Sequence, residues 1–148
     1  MKRREILVAA GGIVAGSLLG PLAFAADPKT KKTVEETPNP HQKLIDSTSV
    51  CIARGQECIR HCQEVLASGD TSMGACLKTA LEMVAACELT QKYAAYRSVN
   101  LAKAAALAAE ACKACEEACR KHEHHHKTCK DCAEACASCA KECLKVAA

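Results

Sequence analysis

Aromatic side chains are almost missing from this sequence: there is no tryptophan, and Phe24, Tyr93 and Tyr96 are the whole set. A core cohering through large rings is therefore excluded, and the apolar positions fall to alanine, leucine, valine and cysteine. Proline stops at Pro40, so nothing of that kind breaks a helix over the rest of the chain. No segment alternates apolar and polar residues with period two, which removes strands. The net charge of +3 is small, and Lys2, Arg3 and Arg4 against Glu5 leave only +1 for the remainder. With no basic stripe and no aromatic platform, nucleic acid is excluded as a partner. There is no Ser-His-Asp arrangement, phosphate loop or inward carboxylate pair, and the expectation is a protein that is not an enzyme. The length suits one domain.

The first 25 residues read as a targeting segment rather than a fold element. Lys2-Arg3-Arg4 is a twin-arginine start, an apolar glycine-containing run continues to Phe24, and Ala23-Phe24-Ala25 is an A-x-A cleavage site. The run is too short and glycine-rich for a comfortable membrane span. We expect export by the twin-arginine route, which carries folded proteins, to a periplasm or an internal membrane lumen. Residues 26–40 contain Pro28, Pro38 and Pro40 and read as a polar linker, flexible or wrapped over the surface.

Four helical segments are expected in residues 41–148. The first covers 41–67 and stops at Ser68-Gly69. The second starts near Thr71 or Ser72 as N-caps and runs to about 93. The third covers 98–121 with Ser98 as its cap, and the fourth 127–146, after a His-rich turn at 122–126. Four such helices with short connections give an all-α fold, an antiparallel up-down four-helix bundle.

What the chain has in excess is cysteine. Thirteen occur, at Cys51, Cys58, Cys62, Cys76, Cys87, Cys112, Cys115, Cys119, Cys129, Cys132, Cys136, Cys139 and Cys143. Their gaps are close to whole helical turns. At about 100° per residue, Cys129, Cys132, Cys136, Cys139 and Cys143 fall within an arc of about 80°, and Cys51, Cys58 and Cys62 within about 40°. Met73, Cys76, Ala80, Met83 and Cys87 share a face of the second helix. Leu101, Ala105 and Ala108 lead into Cys112, Cys115 and Cys119 on the third. All thirteen thiols can line one interior.

Packing alone does not call for thirteen small thiols. A disulfide scaffold would leave an odd cysteine, and i, i+3 or i, i+4 pairs on one helix suit a disulfide poorly. A four-thiolate zinc site needs two CxxC pairs on tight turns and no further stripe. An iron–sulfur reading of Cys132, Cys136 and Cys139 rests on a spacing that any such stripe produces. A thiol-exchange enzyme would need one distinctive CxxC at a helix N-terminus. Soft thiolates select Cu(I), and a row of near-equivalent ligands suits capacity, roughly one Cu(I) per cysteine. A metallothionein-like zinc or cadmium buffer and a disulfide-linked export module stand as the alternatives.

With its thirteen cysteines, the CxxC and CxxxC runs in 112–119 and 129–143, and the Lys-Arg-Arg start, the chain resembles the copper storage proteins, in particular the exported, twin-arginine-signal members of methane-oxidising bacteria. The resemblance implies a four-helix bundle binding multiple Cu(I) ions through all thirteen cysteines, a homotetramer, and delivery of copper to copper-requiring enzymes or chelators, a membrane methane oxygenase among them.

An up-down bundle collects His61, Cys62, Met73, Cys76, Cys119, the histidines His122, His124, His125 and His126, and Cys129 at one end. We expect copper to pass there, with His61 and Met73 as additional ligands. Mixed sulfur–nitrogen ligands at the open end are what the resemblance implies as well. The four turn histidines read either as a weak external metal site or as a solvated loop, Met83 as packing, and His41 as neither.

Overall fold

The structure, a computed structural model, describes residues 36–148. The expected signal segment, its cleavage point and residues 26–35 of the linker lie outside the described residues. The described chain forms α1 (Gln42–Ala67), α2 (Gly74–Ala95), α3 (Leu101–Arg120) and α4 (Lys127–Ala147), with a 3₁₀ turn at Thr71–Met73 leading into α2. There is no strand among the described residues.

Local chemistry accounts for the breaks. α1 ends at Ser68, and Gly69 takes a φ of 93°, a left-handed conformation that costs glycine little. The next start is capped not by Thr71 or Ser72, as the sequence suggests, but by Asp70, whose carboxylate accepts the Ser72 backbone N–H at 2.9 Å. A carboxylate in this position outcompetes the hydroxyls because its negative charge strengthens the bond it accepts from the backbone N–H. α2 ends in a left-handed residue too, Arg97 at φ 51°. There the Ser98 N–H reaches the Tyr93 carbonyl at 2.9 Å and closes α2, while the Ser98 hydroxyl oxygen accepts the Asn100 N–H at 3.2 Å on the approach to α3. α3 begins at Leu101 with Asn100 in the cap position, two residues later than Ser98 as a cap would place it. Arg97 is used on its own account: its guanidinium donates to the Thr37 carbonyl at 2.8 Å, and Asn39 donates to the Ala94 carbonyl at 3.1 Å. These bonds bring the start of α1 and the end of α2 together.

Each helix packs against two neighbours in the ring α1–α2–α3–α4, and the diagonal pairs do not touch through their backbones. The apolar stripes all turn inward. Polar faces carry i, i+3 and i, i+4 ion pairs such as Arg54–Glu57, Arg120–Glu116 and Lys127–Asp131, which solvent screening keeps weak. The buried set is dominated by cysteine and alanine; Met73 and Met83 are the largest fully buried side chains. Such small side chains let helices approach closely.

Gly55 shows how closely. It is buried in the middle of α1, where glycine costs about 1 kcal/mol against alanine. A Cβ there would lie 2.6 Å from Met83 Cε and 2.6 Å from Val84 Cγ2. The methionine end can swing away, but the branched valine is stiff on its helix. We expect Gly55→Ala to lose more from overpacking, about 1–3 kcal/mol, than it gains in helix propensity. Thermal unfolding of the metal-free variant, monitored by circular dichroism, should show a lower Tm.

Candidate metal centre

Helical periodicity delivers every expected thiol to the same place. All thirteen cysteines are fully buried and carry free thiols, α3 supplying Cys112, Cys115 and Cys119, and α4 supplying Cys129 through Cys143. The helices whose backbones do not meet across the bundle meet through sulfur. Cys51 of α1 lies 3.9 Å from Cys112 of α3, and Cys58 lies 3.7 Å from Cys119. Across the other diagonal, Cys87 of α2 lies 3.8 Å from Cys139 of α4.

These contacts join into one sulfur path along the axis. Near the 68–73 and 121–126 turns, Cys58, Cys76 and Cys129 come within bridging range of one another, and Cys76 is 3.2 Å from Cys119. Cys119 continues to Cys115, and Cys115 to Cys132, at 3.9 Å each. Cys115, Cys132 and Cys136 form a further group, and Cys136 reaches Cys51 at 3.9 Å. The next layer is Cys51, Cys87, Cys112 and Cys139. Cys143 follows at 3.9 Å from Cys139. Beyond it the path ends in Thr48, whose hydroxyl donates to the Leu44 carbonyl, and Thr90, which donates to the carbonyls of Ala86 and Ala104. These hydroxyls are satisfied by backbone, and the far end of the core carries no thiols.

The spacing has chemical content. With a metal–sulfur bond of about 2.3 Å, as in zinc thiolates, three sulfurs in a plane around one ion stand about 4 Å apart. Most of the thiol separations above fall just short of that, so small side-chain motions suffice to seat an ion. Cys58 and Cys132 each belong to two groups. A thiolate shared in this way bridges ions, which a set of isolated four-ligand sites would not require.

Protons are distributed unevenly over the sulfurs. Cys87 is pushed up by its hydrogen bonds, with Cys112 foremost, and by burial. Cys119 is pushed up with Cys115 as the leading partner, and Cys136 with Cys112. Cys112 is pulled down to about 5, chiefly by the thiol of Cys136. Cys62 falls to about 4, chiefly through Cys58. Thiolates in this core are held by neighbouring S–H donors, so some thiols must stay protonated for others to ionise.

At the end holding the 68–73 and 121–126 turns, the structure brings together what the sequence grouped there only by topology. Met73 is fully buried there. His61 is half-buried and its Nε2 lies 2.9 Å from Nδ1 of His126, with the rings tilted at 54°. His122 stands near, its ring centroid 6.4 Å from that of His126, while His124 and His125 face solvent. The turn histidines thus divide into an inner pair and an outer pair. His126 was not separable from its neighbours by sequence, because nothing in the chain relates it to a residue 65 positions away.

Because the raised thiols hold protons at neutral pH, a thiophilic cation must displace them. Uptake should release protons, strengthen as pH rises and weaken as pH falls. A pH-stat titration with Cu(I) under anaerobic conditions measures the protons released per ion.

The family profile described as Copper storage protein matches residues 37–148. No curated protein matches the sequence. Among solved structures, the apo form of copper storage protein 3 from Bacillus subtilis is similar at a TM-score of 0.64 and 29% identity, over 72% of this chain and 98% of that one. A Cu(I)-bound copper storage protein 3 is similar at a TM-score of 0.65 and 29% identity, over 72% and 97%. With its profile match spanning the whole four-helix bundle, the chain belongs to the copper storage protein family.

Proposed function

We propose that this protein stores Cu(I) at high capacity inside its bundle, and the observation that carries the reading is the unbroken path of buried sulfurs. Each Cu(I) that replaces a thiol proton leaves the interior charge unchanged, so ions can accumulate in a dry core without the cost of uncompensated charge. The soft cation matches the soft donors. Thirteen comparable thiols favour a store over a catalyst, which would single out one site. All thirteen cysteines serve as ligands, with roughly one copper per cysteine.

His61 and Met73 serve as further ligands where copper enters and leaves. This reading is supported by the thiol-free opposite end, with Thr48 and Thr90, and by the imidazoles gathered over Met73. Stored copper passes by ligand exchange to copper-requiring enzymes or chelators. A homotetramer is supported by an apolar groove between the outer faces of α2 and α3, where Leu89 and Leu107 lie exposed; sedimentation velocity checks it. Export to the periplasm or an internal lumen rests on the twin-arginine start and the A-x-A site, and N-terminal sequencing of protein recovered from the periplasmic fraction tests it.

The decisive experiment is anaerobic Cu(I) titration of the reduced protein against a strong Cu(I) chelator, with zinc as a control. We expect tight uptake approaching one ion per cysteine that zinc does not suppress. Saturation at one or two ions would overturn storage, and equal avidity for zinc would favour a general metal buffer. His61→Ala and Met73→Leu should slow loading and unloading while leaving most of the capacity intact, as stopped-flow exchange with the chelator would show.

A further inference from the structure

The layer formed by Cys51, Cys87, Cys112 and Cys139 contains a fifth sulfur. Met83 is fully buried. The Cys51 thiol donates to its Sδ at 3.3 Å, and the Cys87 thiol does so at 3.8 Å. A side chain required only to fill space could be leucine, which is close to methionine in volume. Here the polarisable atom, not a methyl group, lies against the thiols.

The opposite side of Met83 gives an independent indication. Its methyl Cε occupies the space that a Cβ on Gly55 would take, at 2.6 Å, whereas Sδ stands 3.8 Å from that point. Glycine in mid-helix weakens α1. That weakness leaves room for the methyl group on the α1 side and turns the sulfur toward the thiols of Cys51 and Cys87.

We propose that Met83 is a Cu(I) ligand, its thioether completing a three-sulfur site with Cys51 and Cys87 in the depth of the bundle. The inference rests on the storage reading and goes beyond the expectation that Met83 packs, by giving its sulfur a ligand role. A thioether is a neutral donor. It adds a bond to copper without adding a negative charge, so an ion there gains a third sulfur while copper and thiolate stay matched in number. Cys51 and Cys87 remain free to bridge to Cys112 and Cys139, which lie 3.9 and 3.8 Å from them respectively. Of the two buried thioethers, Met73 lies at the end with the turn histidines and Met83 two layers below it.

The test uses the full chain with selenium in place of methionine sulfur. Selenium-edge X-ray absorption is recorded on copper-loaded M73L and on M73L/M83L, so that the difference isolates position 83 from Met1. Copper scattering at bonding distance in the first, lost in the second, is the expected result. In parallel, M83L should fold like the parent by circular dichroism when metal-free. Once loaded, it should yield one class of copper to the chelator about tenfold more readily, the lower end of what disturbing a metal site costs. Identical selenium spectra from the two variants, or unchanged copper retention in M83L, would overturn the role of Met83 while leaving storage standing. A parent protein that takes up no copper would defeat both.

Discussion

The exchange of one proton for one monovalent cation at a buried sulfur is the step on which the rest of this molecule depends. A four-helix bundle ordinarily coheres through interdigitated hydrocarbon. Here the interior has been given over to groups that pack as small hydrophobes when protonated and act as ligands when not. The same side chains can therefore close the core in both states. Because the exchange is neutral, filling the core does not build up charge. Because neighbouring thiols support one another's ionisation, as Cys136 does for Cys112, the sulfurs behave as a connected set rather than as thirteen separate sites.

That arrangement constrains the scaffold. Cysteine reaches only a short way from the helix axis, so sulfurs on opposite helices meet only if the helices stand close. Alanine at Ala105, Ala108, Ala133 and Ala140, all buried, and the missing side chain at Gly55 make that approach possible. The contact of Cys58 with Cys119 at 3.7 Å across the diagonal is its product. The two ends then differ in kind. Thr48 and Thr90 turn their hydroxyls onto backbone carbonyls at one end, whereas His61 and His126 hold each other over the other. The two ends therefore differ in donor chemistry, and the imidazoles lie at the end through which we propose that copper passes.

Helix limits were legible to within a few residues wherever a single residue's chemistry sets them. Gly69 stops α1 as the sequence suggests. Asp70 displaced Thr71 and Ser72 as the cap, and Ser98 serves both sides of its turn, its N–H closing α2 and its hydroxyl accepting the Asn100 N–H before α3, because capping depends on which carbonyl or N–H the fold leaves unsatisfied. Arg97 in a left-handed conformation could not have been foreseen, since its return comes from Thr37, far away in the chain. Met83 was placed on the inner face by its spacing from Cys87, yet the approach of its sulfur to Cys51 depends on how α1 and α2 are set against each other.

By itself, then, the sequence determined four helices, the inward face of each and the presence of all thirteen thiols on those faces. The physical reason is that a period of 3.6 residues is a local property, written into the spacing of the cysteines. Only the tertiary structure decided which sulfurs become neighbours, that Cys58 and Cys132 are shared between groups, that His126 rather than His124 or His125 meets His61, and that Met83 turns its sulfur into the thiol layer. Those outcomes depend on the relative height and rotation of helices that touch far apart in sequence. They are set by the volumes of residues such as Gly55 and Val84 at the contact, which no periodicity encodes.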